Sequence, residues 1–153
     1  VYGDADLVDE HGKVIGPFPA RQTDLRRMLR GSVHIPQQAS FFRGELWPLV
    51  GPLDPEFYFA MAYDLWLRLA KHGKLLYTTQ RWANFRLHQA GKTQVSDDRC
   101  YPEMILAARR LTGHIPVALT VRWYTRRLFY AWLPLRVRLW LRRKINIHTN
   151  YLG

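Results

Sequence analysis

The chain has 153 residues, 48% of them hydrophobic and 14% aromatic, so it can bury one core and is not a disordered segment. Its formal net charge of +11 is unevenly distributed. Lys and Arg nearly balance Asp and Glu through residue 103, whereas residues 104–153 carry ten cationic residues and no acidic one. The single cysteine, Cys100, excludes an internal disulfide and favours a reducing compartment.

Two strands and a short helix are predicted near the N-terminus. Val1–Val8 and Lys13–Ile15 are strand-like segments separated by a tight turn, in which Gly12 supplies the positive φ. A short helix is predicted to run through Met28, with Thr23 as its N-cap. Because the chain opens in the middle of a predicted strand and without an initiator Met, we expect it to be a fragment.

The middle of the chain alternates strands and helices. A short strand is predicted over Ala39–Phe42, a short helix over Glu45–Val50 and a longer helix over Ala60–His72, whose apolar residues fall near helical spacing. Lys74–Thr79 and Trp82–His88 are predicted to be two further strands. This alternation favours a mixed α/β class.

The last third is predicted to be helical. Asp97 or Asp98 begins a helix that reaches toward Leu111, and Gly113 ends it. From Pro116 to about residue 144 the sequence is a continuous aromatic and basic segment.

The first candidate functional group is the carboxylate pair Asp4 and Asp6. These residues alternate along a predicted strand, so both side chains point to one face of the sheet. Two hard oxygen ligands at one place can hold Mg²⁺ or Mn²⁺ and leave positions open for a diphosphate. The alternative to a metal site is that these are two polar residues near a hairpin, since Asp-x-Asp also occurs by chance.

Two further candidates lie later in the chain. Asp64 is early in a predicted helix, where the helix dipole stabilises an acid and where a carboxylate can act as a general base. His88 ends a predicted strand, and the loop after it contains Lys92. A histidine at a strand end can ligate a metal, and a polar loop with a lysine can reach a phosphate. Each residue also has an ordinary structural explanation.

Taken together, five segments in this order resemble the family-2 glycosyltransferases. They are Tyr-Gly-Asp-Ala-Asp-Leu-Val-Asp-Glu-x-Gly-Lys-Val-Ile-Gly (2–16), Pro-Gln-Gln-Ala-Ser-Phe-Phe-Arg (36–43), Val-Gly-x-Leu-Asp (50–54), Tyr-Asp-Leu-Trp-Leu-Arg-Leu-Ala (63–70) and Asn-Phe-Arg-Leu-His (84–88). The resemblance implies an α/β fold in two parts. Residues 1–95 would be the C-terminal half of a GT-A domain, a Rossmann-like sandwich, and residues 96–153 an amphipathic helical tail.

The same resemblance implies an activity, which is inverting, metal-dependent transfer of a sugar from a nucleotide-sugar donor to a glycan or lipid-linked acceptor. Envelope polysaccharide or glycoprotein assembly is the implied setting. The metal, Mg²⁺ or Mn²⁺, would be bound by Asp4, Asp6 and His88, with Asp6 the favoured direct ligand. The residues assigned to donor and acceptor binding are Asp4, Gln37, Gln38, Ser40 and Lys92.

The sequence departs from the family pattern at two points. Relatives carry an acid immediately before the Tyr-Asp-Leu-Trp segment, but this chain has Ala62 there. The base would then be Asp64, or another acid such as Asp54 or Glu56, or the protein would be impaired. The strands that hold the nucleotide in this family lie upstream of the Asp-x-Asp. We therefore expect this chain alone to bind a sugar nucleotide poorly and to expose apolar sheet edges.

Residues 122–144 form a basic and aromatic tail with eight cations, no acid and three Trp. This composition predicts a peripheral helix on anionic lipid, which places the protein in the cytoplasm at the inner face of the membrane. Its longest uncharged stretch, Leu128–Leu135, is far too short to span a bilayer.

Two other interpretations of the tail are an amphipathic helix packed on the rest of a transferase and a nucleic-acid surface. The charge balance of the first 103 residues argues against nucleic acid as a partner. The alternative function is a non-catalytic fragment or degenerate transferase that binds a membrane or partner through the tail.

Overall fold

A computed structural model of the chain describes residues 1–18, 20–87 and 97–132. Within these ranges the fold is mixed α/β, as the sequence predicts. Its sheet has three strands, β1 (Tyr2–Val8), β2 (Val14–Pro17) and β3 (Tyr77–Arg86). β1 is central and pairs antiparallel with β2 and parallel with β3. Any side chain on β1 therefore has a neighbouring strand on both sides.

The β1–β2 hairpin is confirmed. Gly12 has φ 86°, the left-handed conformation that the turn requires. The Asp9 carboxylate accepts hydrogen bonds from the backbone N–H groups of His11 and Lys13 at 3.0 and 2.8 Å. A local turn signal thus specifies this part of the sheet.

Five α-helices and two short 3₁₀ turns complete the described part of the chain. The helices are α1 (Leu25–Met28), α2 (Trp47–Val50), α3 (Met61–His72), α4 (Asp97–Thr112) and α5 (Val117–Trp132). The 3₁₀ turns are Gln37–Ala39 and Gly44–Leu46. The predicted helices at Glu45–Val50, Ala60–His72 and Asp97–Leu111 are confirmed within a few residues, and Gly113 follows α4 with φ 74°.

Three sequence-based expectations about local structure are wrong. The N-cap of α1 is Asp24, whose carboxylate accepts the N–H of Arg27 at 2.7 Å. Thr23 is instead buried, and its hydroxyl donates to the Ser32 carbonyl at 3.0 Å. At Ala39–Phe42 there is no strand but only a single bridge from Ser40 to β1.

The third error concerns β3, where the sequence predicts two strands, Lys74–Thr79 and Trp82–His88. It is one strand of ten residues that pairs with the seven of β1, so the register shifts twice along the ladder. Gly3 lies at this irregular part of the sheet. A Cβ atom at Gly3 would collide with the Gln80 carbonyl and the Trp82 ring. The close approach of the two strands therefore depends on a glycine at this position.

Two apolar clusters lie on opposite faces of β1. The larger cluster packs the helices against the face that carries Tyr2. Its most deeply buried members are Tyr2, Met28, Phe57, Ala60, Leu67, Ala107, Ala108 and Leu119. The smaller cluster contains Ala5, Leu7, Phe18 and Ala39 and covers the other face.

The helices of the last third share the larger core. Met104 on α4 and Leu119 on α5 belong to the same cluster as Leu67 on α3. The predicted division between residues 95 and 96 falls at a segment, residues 88–96, that lies outside the described residues. None of the described helices is long and apolar enough to cross a membrane.

Candidate functional site

The central strand places Asp4 and Asp6 on one face of the sheet. Their side chains alternate with those of Ala5 and Leu7, which are buried in the smaller cluster on the opposite face. Both aspartates are half-buried. The carboxylate pair therefore lies on the same face as Tyr2, farther along the strand.

Asp4 is held by a tyrosine from the neighbouring strand. The Tyr77 hydroxyl donates a hydrogen bond of 2.7 Å to Asp4 Oδ1. This bond, with smaller contributions from burial and from the negative charge of Asp4, raises the pKa of Tyr77 to about 12. The Tyr77 ring also lies 5.6 Å from the ring of Tyr2. Tyr77 therefore connects the Asp4 carboxylate to Tyr2 of the larger core.

Asp6 is paired with a cation from the same neighbouring strand. Arg81 Nε lies 3.3 Å from Asp6 Oδ1, and the Arg81 side chain is 57% exposed whereas that of Asp6 is 14% exposed. Ion pairs with an exposed partner contribute only about 0–1 kcal/mol. The guanidinium can therefore leave Asp6 at little cost.

The carboxylate pair has the chemistry of a partial magnesium or manganese site. Mg²⁺ typically takes one or two carboxylates from the protein and completes its shell with water and substrate phosphates. His88 and Lys92 lie outside the described residues. Across residues 1–18, 20–87 and 97–132, no group of three His, Cys, Asp or Glu side chains is arranged to hold a metal ion. Among the described residues, Asp4 and Asp6 are thus two oxygen donors on one face of β1, without a third such side chain beside them.

The turn that carries Gln37, Gln38 and Ser40 packs on the other face of β1. Ala39 in this turn is fully buried against Ala5 and Leu7. Gln37 and Gln38 are exposed, and the Ser40 hydroxyl donates to the Pro36 carbonyl at 2.6 Å. The turn and the aspartate pair thus occupy opposite sides of the same strand.

Asp64 is part of a buried ion pair. Its Oδ2 lies 2.7 Å from Arg68 Nη2, one helical turn along α3. The same guanidinium donates to three backbone carbonyls at the end of α2 and in the following loop, those of Val50, Gly51 and Pro52. Asp64 therefore orients an arginine that ties α2 to α3. The sequence signal for this pair was the i, i+4 spacing of opposite charges on a helix.

Asp54 and Glu56, the two alternative acids, share a second arginine. Arg110 of α4 lies 2.9 Å from Asp54 Oδ2 and 2.6 Å from Glu56 Oε2. These carboxylates raise the pKa of Arg110, with the hydrogen bond to Glu56 the largest cause. Sequence reasoning could not find this pairing, because Arg110 is more than fifty residues from both acids.

The two ion clusters line one cavity of about 480 Å³. Its lining residues are Pro52, Leu53, Asp54, Pro55, Asp64, Arg68, Arg110 and Leu111. Of the three acids considered as a base, Asp64 and Asp54 line this cavity, and Glu56 is connected to it through Arg110. Each of the three pairs with an arginine. The described contacts of Asp4 and Asp6 lie with β3 instead.

Ala62 lies in the first turn of α3 and packs against the larger core. A carboxylate is nevertheless present at the start of this helix. Glu103 of α4 accepts the N–H groups of Phe59 and Ala60 at 2.7 and 2.8 Å. Glu103 caps the helix from a distant element, a role that sequence patterns do not reveal.

A larger cavity of about 700 Å³ lies beside the N-terminal end of β1. Aromatic side chains from the segment after the 3₁₀ turn, Phe41 and Phe42, line it together with Trp66 of α3. Charged residues Arg43 and Lys74 also reach its lining. None of the predicted site residues lines this cavity.

No family model, curated protein or solved structure matches this chain. The functional interpretation therefore depends on the chemistry of the residues described above. Of these, the aspartate pair on β1 and the acid–arginine cavity beside α3 are the two places where ionisable side chains converge.

Proposed function

We propose that the chain is the C-terminal half of the catalytic domain of an inverting, metal-dependent glycosyltransferase with a GT-A fold. The observation that carries this proposal is the placement of the Asp4 and Asp6 carboxylates side by side on one face of the central strand. The resemblance of five ordered segments to family-2 glycosyltransferases supports it. The donor is a nucleotide sugar, and the acceptor is a glycan or a lipid-linked sugar.

In this proposal Asp4, Asp6 and His88 would hold Mg²⁺ or Mn²⁺, with Asp6 the favoured direct ligand. The ion supplies positive charge where the nucleoside diphosphate leaves. Tyr77 keeps the Asp4 carboxylate in place by its hydrogen bond. Arg81, released from Asp6, has the exposed guanidinium that can pair with a diphosphate. The resemblance also makes Gln37, Gln38, Ser40 and Lys92 the proposed donor and acceptor contacts. Because the turn with Gln37, Gln38 and Ser40 packs on the other face of β1, the proposal requires the substrates to extend past the strand to reach it.

The transfer step also requires a base. The base takes the proton of the acceptor hydroxyl, the oxygen attacks the anomeric carbon, and the bond to the diphosphate oxygen breaks on the opposite face. Asp64 is the proposed base. It lines the 480 Å³ cavity, whose lining includes neither Asp4 nor Asp6. The proposal therefore requires an acceptor in this cavity to reach the donor held at the aspartate pair. To accept a proton, Asp64 has to give up part of its pairing with Arg68.

A second candidate function is that of a degenerate transferase that keeps the fold without the reaction. Two observations favour it: Ala62 stands at the position of the expected acid, and Asp64 is occupied by Arg68. The substitution Ala62→Asp in the full-length protein separates the two candidates. A general base contributes about 10²–10⁴-fold in rate, so a gain of that size would show that Ala62 had removed the base. An unchanged rate in an active protein would leave Asp64, or another acid such as Asp54 or Glu56, as the base.

Binding of Mn²⁺ to the chain, followed by paramagnetic resonance, tests the carboxylate site directly. Changes beside a metal ligand typically cost about 10–100-fold in affinity, so Asp6→Asn should weaken Mn²⁺ binding by at least that factor. Glu10→Gln is the matched control, because Glu10 is an exposed acid in the neighbouring turn. Equal binding by the wild type, Asp6→Asn and Glu10→Gln would contradict the proposal. Release of nucleoside diphosphate from a panel of sugar nucleotides then identifies the donor.

A further inference from the structure

The last described helix, α5, carries a row of exposed apolar side chains. Each of them is more than half exposed, and Trp132 is 88% exposed. The row consists of Val117, Val121, Tyr124, Leu128 and Trp132. Large apolar side chains in a continuous exposed row are uncommon on a soluble surface and mark a contact site. We call these five residues the α5 stripe.

The stripe occupies a single face of the helix. Its members follow one another at intervals of three or four residues, the spacing of neighbours on a helix surface. At about 100° per residue, the five positions fall within roughly 80° of the helix circumference. The stripe is therefore a narrow, continuous surface.

The opposite face of α5 holds the helix on the protein. Leu119 is fully buried in the larger core, and Trp123 packs against the same core. Gly31 lies so close to Leu119 that a Cβ atom at Gly31 would lie 2.9 Å from the Leu119 methyl group. The stripe is thus the outward face of a helix that is already packed, and not an unsatisfied core face.

Two of the three arginines of α5 flank the stripe. At about 100° per residue, Arg122 and Arg127 lie roughly 60–80° beyond its two edges, whereas Arg126 lies on the opposite face. Arg126 packs over the buried Tyr101 ring, with 5.9 Å between guanidinium carbon and ring centre, and Arg127 lies 5.8 Å from the ring of Trp123. No arginine interrupts the apolar row. Sequence alone suggested that contact begins at residue 122, whereas the exposed row already begins at Val117.

The charge around the stripe determines which partner it fits. From residue 104 onward the sequence has no acid, so every formal charge on α5 is positive. Pairing α5 with α5 of a second copy would bring like charges together. An anionic lipid surface complements them, and Trp and Tyr beside Leu and Val are the residues that favour the headgroup boundary.

We propose that α5 docks on an anionic lipid surface through the stripe, with Val117, Val121, Tyr124, Leu128 and Trp132 entering the headgroup boundary. The proposal does not depend on sugar transfer. It would hold equally for an active and for a degenerate transferase.

Vesicle flotation tests the proposal with the whole chain. The wild type should float with vesicles that contain phosphatidylglycerol and bind less well to phosphatidylcholine alone. Burying a Val or Leu side chain is worth roughly tenfold or more in partitioning, so Val121→Ser/Leu128→Ser should reduce flotation by at least that factor. The matched control is Leu49→Ser, an equally exposed leucine on α2, which should float like the wild type.

Three results would overturn the proposal: absence of wild-type flotation on anionic vesicles, equal flotation of the double variant, or equal loss in the Leu49→Ser control. If sedimentation shows that the stripe variant dissociates a dimer while flotation is unchanged, the stripe is a protein interface instead. Circular dichroism confirms folding of the variants. If the double variant does not fold, the single change Trp132→Ser at the end of the helix takes its place.

Discussion

At the scale of residues, the aspartate pair shows how two neighbouring carboxylates can differ in environment. Asp4 accepts a hydrogen bond from a tyrosine that packs on the core, whereas Asp6 faces an arginine that is mostly in solvent. The first partner is fixed by packing, and the second can exchange. A cation approaching this face would therefore displace Arg81 more readily than Tyr77, which agrees with Asp6 as the direct ligand.

The Tyr77 hydroxyl should make stability depend on alkaline pH. Its pKa is raised from 10.0 in the unfolded chain to about 12 in the fold. Its contribution is fully present below pH 10, is lost as the pH rises toward 12, and is absent above that. We expect Tyr77→Phe to lower the free energy of unfolding by about 1.5–3 kcal/mol at neutral pH, since it removes one hydrogen bond to a charged group.

Urea unfolding at neutral and alkaline pH measures this effect, with Tyr124→Phe as the control because Tyr124 is exposed on α5. The difference between wild type and Tyr77→Phe should shrink as the pH rises from 10 to 12. A difference that stays constant across this interval would show that the bond to Asp4 contributes nothing to the alkaline transition.

At the scale of elements, Asp64 and Arg68 connect two helices through backbone carbonyls. Removing Asp64 takes a charge-assisted hydrogen bond from Arg68, and such bonds are worth about 1.5–3 kcal/mol. Arg68 keeps its three carbonyl contacts and is 21% exposed, so we expect Asp64→Asn to lower the free energy of unfolding by about 2 kcal/mol. Arg81→Met, which breaks an exposed pair, should cost less than about 1 kcal/mol.

The Asp64 prediction is checked by urea unfolding of both variants at neutral pH. Equal and small losses would mean that the pair does not anchor α2 to α3. Combined with Arg68→Met, the Asp64→Asn variant also gives a double-mutant cycle. The coupling free energy from that cycle isolates the ion pair from the carbonyl contacts of Arg68.

The elements that the sequence predicted well are those with local signals. The hairpin follows from a glycine that adopts positive φ, and α3 follows from apolar residues at helical spacing. The expected strand at Ala39–Phe42 failed because Ala39 is buried by contacts with Leu7, more than thirty residues away. β3 was divided in two because its register shifts arise from pairing with β1, which the sequence of β3 does not record.

The candidate site likewise combines features that follow from the local sequence with features that depend on distant contacts. The shared face of Asp4 and Asp6 follows from strand alternation alone. Their partners, Tyr77 and Arg81, come from a strand more than seventy residues later, and no local pattern links them. No local pattern predicts that Glu103 of α4 caps α3 either, because it lies more than forty residues from the N–H groups that it accepts.

At the scale of the whole molecule, the parallel pairing of β1 with β3 has a consequence for folding. The hydrogen bond between Tyr77 and Asp4 joins residues 73 positions apart, with α1, α2 and α3 between them in the chain. Such high contact order delays closure, because the entropy of a long loop is lost before the contact forms. Tyr77 and Arg81 therefore reach the aspartate pair only when β3 joins β1, so the surroundings of Asp4 and Asp6 record whether the parallel half of the sheet has assembled.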